Sequence, residues 1–353
     1  MKRYFLCLLL MVAGPVHAIS PEQVGVIVND NDLASIEIGK YYRDKRGIPA
    51  RNIVHVNVDP KKNALPLEDF RTIRIKVETA MPPGVQFLAI AWTMPSMVGE
   101  CESITSAMAR GLLGSSCGFD RPSVTADSPY FRSTSAAPFA DFGMRPAMML
   151  AGKSVADVKA MIDRGVASDG TQPKGKAYIM LTSDRNRNVR ARRYAGTGGK
   201  TGRAYGPKID IELRQAETIS GTTDTMFYFQ GIEKLGDVTA TNRFPPGAYV
   251  DNLSSFSGRV GGNRDVLDAV KGAGGATAYA GSVSEPFALY FKFPDPDVMI
   301  PCYVGGGSMI ECAWKSLRQT AQILFIGEPM ASPYAIWPGR AAAKAPAGRP
   351  AKK

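Results

Sequence analysis

The residues best suited to chemistry gather where short apolar runs give out. Asn29-Asp30 follow Val24 to Val28, Trp92-Thr93 close the run from Phe87, and Asp184-Arg185 come after Ala177 to Leu181. Gln230-Gly231 follow Met226 to Phe229, Glu285-Pro286 follow Thr277 to Val283, and Glu328-Pro329 follow Ile323 to Ile326. Asp251, Asn252, Ser254, Ser255 and Ser257 join them from the segment Pro245 to Gly258. A carboxylate beside a serine hydroxyl can assist an attack or position a polar ligand. Asp251 or Glu285 is therefore the candidate base, and Ser254 or Ser255 the candidate nucleophile or positioner. The densest charge cluster runs from Asp184 to Arg193 and includes Arg185, Arg187, Arg190 and Arg192. Its guanidinium groups can fork around a carboxylate or phosphate; the bland reading is a solvated loop.

Familiar motifs fail on inspection. Gly199-Lys200-Thr201 lacks the glycine that a phosphate loop needs five positions earlier, where Tyr194 stands. Gly114-Ser115-Ser116-Cys117-Gly118 has the letters of a nucleophile elbow, but a helix-like segment precedes it and no His follows it. Asp30-Asn31-Asp32 opens like a calcium loop, yet Ser35 and Tyr41 occupy the positions that need Gly and Glu. The chain has 2 His in 353 residues. A His-rich metal site is therefore not expected, nor is any cofactor. His55, within a strand pattern, reads as a satisfied structural residue.

The elements that must position these residues alternate between strand and helix. Ala34, Ile38, Tyr41 and Tyr42 mark one helix, ended by Gly47 and Pro49, and Phe70, Ile73, Val77 and Ala80 mark another. Ser154 and Asp157 form a capping box ahead of Val158 and Ile162. Further helices are expected near Arg264 to Val270 and Met309 to Thr320. Strands joined by helical crossovers predict an α/β fold, a mostly parallel sheet with helices on both faces. Ligands then bind beyond the carboxyl ends of the strands. The strands ending near Asn29, Trp92 and Asp184 are expected to point to one edge, so the polar strand ends would form a single rim.

Lys2 and Arg3, an apolar run from Phe5 to Gly14, and Val16-His17-Ala18 read as a secretory signal peptide over residues 1–18. The expected mature chain is a single domain over 19–338, periplasmic or secreted, with a basic Ala/Pro-rich tail over 339–353. No later run approaches the roughly 18 apolar residues of a membrane helix, so no transmembrane anchor is expected. The net charge of +11 is mostly terminal. Without the leader and tail, 36 basic residues face 32 acidic ones, which removes the main support for nucleic-acid binding. Four Cys remain: Cys101, Cys117, Cys302 and Cys312. In an exported chain they favour disulfides, with Cys101–Cys117 and Cys302–Cys312 the simplest of three connectivities. Cys312, on a helix pattern, reads equally well as a buried thiol.

Several blocks resemble an uncharacterised exported bacterial family found in genomes that carry the exosortase protein-sorting system. They are Val28-Asn29-Asp30-Asn31-Asp32, Tyr41-Tyr42, Arg46-Gly47-Ile48-Pro49, Asp251-Asn252-Leu253-Ser254-Ser255-Phe256, Glu285-Pro286 and Gly327-Glu328-Pro329. That family has no assigned activity. Substrates of the sorting system end in a Pro-Glu-Pro motif, a membrane helix and a basic cluster. This chain has only the basic residues, so the resemblance implies a companion of the pathway rather than its cargo. More distantly, the second half resembles the caspase and gingipain peptidase fold. Gln230 stands where that fold has its catalytic His, and Ser254-Ser255 where it has its catalytic Cys. The resemblance thus implies the scaffold without the cysteine-peptidase dyad. Two readings follow. One is a binding or accessory protein whose rim recognises an exported protein, a peptide or an exopolysaccharide; the other is a hydrolase with a Ser/carboxylate site.

Produced in an exporting host, the mature chain is expected to begin at or near Ile19. N-terminal sequencing that finds Met1 retained would contradict the leader reading.

Overall fold

The computed structural model describes residues 18–114, 120–196, 204–205, 208–236, 238–262, 266–272 and 274–336. Cys117, the phosphate-loop decoy at 199–201, most of the leader and the tail lie outside them.

The first half of the chain builds β1 (Val24–Asn29), α1 (Leu33–Arg46), β2 (Ile53–Val56), β3 (Ala64–Leu65), α2 (Leu67–Ala80) and β4 (Phe87–Ile90). It continues with β5 (Met97–Val98), β6 (Glu102–Ser103), α3 (Ile104–Arg110), α4 (Pro138–Phe142), β7 (Ala147–Met149) and α5 (Val155–Ser168). The local signals explain these elements. Asp32 caps α1 by accepting the Ala34 N–H at 2.9 Å, a contact worth about 1 kcal/mol. Gly47 ends the helix at φ 68°, a left-handed turn that glycine adopts without a Cβ clash. Ile38 and Tyr42 are buried on one face of α1, and Phe70, Ile73 and Val77 on one face of α2.

The second half builds β8 (Gly175–Leu181), α6 (Val189–Gly196), β9 (Ala204–Tyr205), β10 (Ile209–Gln215), β11 (Thr225–Gln230), α7 (Val238–Thr241) and β12 (Tyr249–Asn252). Then follow β13 (Ala278–Ser282), α8 (Pro296–Val304), α9 (Met309–Lys315) and β14 (Ile323–Gly327). Three expectations change in detail. The segment after Asp184 is not a solvated loop throughout, because α6 begins at Val189 and buries Arg190. Val266–Val270 is a short 3-10 helix, and the helix from Met309 stops at Lys315.

Eleven strands form one sheet in the order β2-β1-β4-β7-β14-β13-β12-β11-β8-β10-β9, with helices around it. It is a mostly parallel α/β sheet, as the alternating pattern predicts. From β2 to β14 neighbouring strands pair in parallel, and so do those from β13 to β10. The two blocks meet where β13 and β14 pair antiparallel. This corrects the expectation of a single rim. The strand ends at Asn29, Trp92 and Glu328 face one edge of the sheet. Those at Asp184, Gln230, Asn252 and Glu285 face the opposite edge.

A buried ionic cluster fastens β14 to the helices of the first half. Arg46, at the end of α1, donates from Nε to Glu328 Oε1 at 3.0 Å and from Nη2 to Glu328 Oε2. Its Nη1 pairs with Asp169, just past α5. The Tyr42 hydroxyl donates to Glu328 at 2.8 Å, and Asp169 also accepts the Ser332 N–H at 3.0 Å. Gly165 makes room on α5, since a Cβ there would lie 2.4 Å from Glu328 Oε2. Two carboxylates thus share one guanidinium in the interior, and burial pushes the Asp169 carboxyl above its usual range.

The disulfide Cys302–Cys312 is present, with Cα atoms 5.5 Å apart, and joins α8 to α9. Cys101 is disulfide-bonded; its expected partner, Cys117, lies outside the described residues. No helix among the described residues is long and apolar enough to cross a membrane.

Arg46→Ala leaves Glu328 and Asp169 buried with no cation between them, and should cost about 3–5 kcal/mol in urea denaturation. A loss under about 1 kcal/mol would show that the cluster does not hold β14.

Candidate functional site

Most of the polar strand ends have structural work. On the first edge, Asn29 donates to the Val58 carbonyl at 3.1 Å and accepts the Val58 N–H at 2.9 Å. Buried Trp92 donates from Nε1 to the Pro95 carbonyl at 3.0 Å, and Glu328 belongs to the Arg46 cluster. Asp30 is partly exposed and meets Nδ1 of His55 at 2.6 Å. His55 is therefore paired, on an exposed side of β2.

On the second edge, Asp251 is fully buried. Its carboxylate is gripped by both terminal nitrogens of Arg190 and accepts the Tyr249 hydroxyl at 3.1 Å. Arg190 also donates to the carbonyls of Gln230 and Pro294 at 3.0 and 3.2 Å. Burial lifts the Asp251 carboxyl to about 6, with Arg190 and Tyr249 only partly opposing it. Asn252 ties both amide atoms to the backbone of Ile232. Gln230 donates from Nε2 to the Glu217 carbonyl, while its buried Oε1 accepts no hydrogen bond from the described residues. Asp184 accepts the N–H groups of Asn186 and Arg187 at 3.1 and 3.0 Å, and its second oxygen pairs with the Arg187 guanidinium at 2.6 Å. Arg185 is exposed, and its carbonyl accepts from Arg192.

Four of the singled-out residues come together. Arg187, Ser254, Ser255 and Glu285 line one cavity of about 260 Å³ with Asn186, Leu253, Phe287 and Ala288. Asp251 does not line it. The loop after β12 is held against β13 by backbone contacts. Gly258 donates to the Ser282 carbonyl at 2.8 Å and Phe256 to that of Ser284 at 3.2 Å. A Cβ on Gly258 would lie 2.2 Å from the Gly281 carbonyl oxygen, so only glycine permits this approach. Ser257 completes the turn: its single hydroxyl proton lies between the Asn252 and Ser254 carbonyls, 2.9 and 2.8 Å from Oγ, and the oxygen accepts the Ser282 N–H at 3.2 Å.

The cavity differs in two ways from a row of polar loop starts. Phe256 and Phe287 both have φ of 59°, a left-handed backbone that costs a non-glycine residue about 1–3 kcal/mol and gathers at binding and active sites. The hydroxyls are also unequal. Ser254 is almost wholly buried and donates to the Glu233 carbonyl at 3.1 Å, whereas Ser255 is half-buried. Glu285 accepts the Phe287 N–H at 2.6 Å. Nearby, buried Lys292 donates to Gln322 at 2.8 Å, and Gln322 donates to the Glu285 carbonyl at 2.7 Å. Burial pushes the Lys292 amine down to about 8, against the pull of Glu285. Sequence reasoning missed Leu253, Phe287, Ala288 and Lys292. Apolar and buried cationic side chains carry no signal until the loops that bring them together are known.

His55 cannot serve this cavity. It lies on β2, six strands from β12, roughly 29 Å at 4.8 Å per strand, and β2 ends at the opposite edge of the sheet. Among the described residues no group of three or more His, Cys, Asp and Glu is placed to hold a metal ion. A roomier cavity of about 950 Å³ lies beside α8 and α9, and none of the predicted catalytic or rim residues lines it.

No family model matches the chain, and no curated protein does. One solved structure, described as "Structure of Protease", is similar with a TM-score of 0.43 and 9% sequence identity, over 89% of this chain and 79% of that one.

Asp251 binds its proton more readily in the folded chain than in the unfolded one. The stability it contributes is fullest below the unfolded value of 3.8 and is lost as pH rises through about 6. Urea denaturation of wild type and Asp251→Asn at intervals from pH 4 to 7 should therefore show the wild type losing ground to the variant as pH rises. A difference that does not change with pH would contradict the upward shift of the Asp251 carboxyl.

Proposed function

We propose that the protein is an exported binding or accessory protein of the cell envelope whose recognition site is the cavity between the β12 and β13 loops. The carrying observation is that Arg187, Ser254, Ser255 and Glu285 share this cavity while the single described His lies across the sheet at the opposite edge. A serine with no adjacent base is a weak nucleophile, and Ser254 already donates its proton to a carbonyl. The cavity, about 260 Å³, is below the roughly 300–1,000 Å³ of small-molecule sites. It suits one side chain or one sugar unit of a longer ligand, so an exported protein, a peptide or an exopolysaccharide is the partner class. Arg187 is answered by Asp184, and Glu285 has Lys292 nearby. The site therefore offers hydrogen bonds of both kinds with little net charge.

In this reading residues 1–18 are a signal peptide and residues 19–338 form one α/β domain on a caspase/gingipain-like scaffold without its His–Cys dyad. The blocks that resemble the exosortase-associated family belong to that reading. Tyr42, Arg46 and Glu328, drawn from three of them, meet in one buried cluster.

A hydrolase is the second reading, favoured by Glu285 and Ser255 lining one cavity beside the left-handed backbone of Phe256. Ser255 would then be the nucleophile or positioner and Glu285 the base.

Purified protein screened on peptide and glycan arrays should retain a ligand without consuming it. Ser255→Ala and Glu285→Gln should each weaken that binding by roughly tenfold, the loss of one good polar contact. A product that disappears in both variants would replace the binding reading by the hydrolase one. Retention indifferent to both variants, or no retention at all, would remove the cavity from consideration.

A further inference from the structure

A second, smaller pocket adjoins the first along two stretches of chain. Asn186 and Arg187 line the first cavity and Arg193, on the following helix, lines the second; Phe287 and Ala288 line the first, and Tyr290, Phe291 and Phe293 the second. Ala288 and Tyr290 are two residues apart, so at most about 7 Å of backbone separates the two walls. The second pocket measures about 120 Å³.

Its charge is one-sided. Arg132, Arg193 and Arg318 line it against a single carboxylate, Asp295. One oxygen of Asp295 accepts both Arg132 and Arg193 at 3.2 Å, and the other caps α8 through the Asp297 N–H at 3.1 Å. Arg318 is answered from outside the pocket by Asp127 at 2.7 Å. One negative charge thus sits between two cations, an arrangement that attracts a further anion. The side chains of Arg132, Arg193 and Arg318 are 53%, 27% and 46% exposed, so their heads remain within reach of a ligand. The Arg193 guanidinium lies 4.6 Å from the centre of the Tyr290 ring, a stacking contact that holds the fork in one plane.

The backbone supplies an independent sign. Arg132 has φ of 56°, and its N–H is fixed to the Lys315 carbonyl at 2.9 Å. Among the described residues four non-glycine positions are held in the left-handed region, and three of them, Arg132, Phe256 and Phe287, line or flank these two pockets. Such conformations persist where the surroundings over-determine them, commonly at ligand clamps.

We propose that the pocket formed by Arg132, Arg193, Arg318 and Tyr290 is an anion subsite that takes one carboxylate, borne by the ligand whose neighbouring unit fills the first cavity. The second clause rests on the proposed function of that cavity; the anion subsite itself does not. An extended peptide places alternate side chains on one face about 6.6 Å apart, so a bound strand offers one side chain to each of two adjoining pockets. A free small acid is the other source of the same chemistry.

The experiment is fluorescence anisotropy on the full chain with the labelled hexapeptide Ala-Phe-Ala-Glu-Ala-Ala and its Gln counterpart, and calorimetry with succinate. The Glu peptide should bind roughly tenfold tighter than the Gln peptide, and the preference should vanish in Arg132→Gln/Arg193→Gln. Arg318→Gln, which leaves the Asp295 pairs intact, should reduce it about threefold and serves if the double variant does not fold. Succinate bound as tightly as the Glu peptide, and lost in the same variants, keeps the subsite and makes a free acid its occupant. A peptide with Ala in place of Phe that binds equally well removes the first cavity while the anion subsite stands. Equal affinity for the Glu and Gln peptides without succinate binding, or binding unchanged by all three Arg substitutions, would overturn the proposal.

Discussion

Five residue pairs, from Ala278 with Gly327 to Ser282 with Ile323, hold β13 and β14 antiparallel in the middle of the sheet. Parallel pairing on either side of this seam gives each half one direction, and the seam sets the two directions against each other. A parallel sheet offers its ligand-binding loops at the carboxyl ends of its strands, so this molecule has two such edges facing opposite ways. His55 and Asp30 belong to one, the Ser254–Ser255 turn to the other. No movement of loops brings them together, because the separation is fixed by backbone hydrogen bonding. The contrast between a site with a serine and a carboxylate and a site with an imidazole base is decided here.

The seam also explains the uneven burial of charge. On the first edge β14 delivers Glu328 into the interior, where Arg46 and Tyr42 receive it. On the second edge the adjoining strand ends deliver Asp251, held by Arg190. Each half thus has an arginine from its first helix locking a carboxylate from a central strand. Replacing such pairs by apolar residues is often neutral or stabilising, whereas removing one partner is costly. These pairs fix which helix lies over which strand end, and in the second half that places Arg187 and Arg193, on either side of Arg190, at their respective pockets.

Much of this architecture is legible from residue order. The β-branched runs at Val24 to Val28 and Ile53 to Val56 and the periodic helices α1, α2 and α5 follow from local pattern and caps. The two-residue strands β3, β5, β6 and β9 leave no pattern to read, and two longer strands of the main sheet, β7 and β10, are not legible either. β7 is Ala147-Met148-Met149, three residues with little strand preference that are fully buried between β4 and β14. β10 alternates correctly, Ile209-Asp210-Ile211-Glu212-Leu213, but is half exposed and interrupted by charge, so it reads as loop. The direction of β14 is invisible too, because strand polarity depends on partners and not on composition. For the site, the polar strand ends mark the right neighbourhood on one edge, but type alone cannot tell Asp251, sealed under Arg190, from Glu285, open to a cavity. The positive φ of Phe256 and Phe287 also has no sequence signature, since both positions would suit glycine better.

The place of β14 bears on how a newly made chain can fold. The other members of the main sheet are complete by Ser282, yet the strand that joins the two blocks begins only at Ile323 and reaches back to pair Ile326 with Met149. Until it has been synthesised, β7 and β13 each carry a row of unpaired N–H and C=O groups, the kind of edge that recruits other chains. Arg46 likewise waits for Glu328, the residue that follows β14. A chain cut short before residue 323 would not be a smaller version of this protein. It would be two half-sheets with adhesive margins, and the completed sheet is available only to a chain whose last strand has arrived.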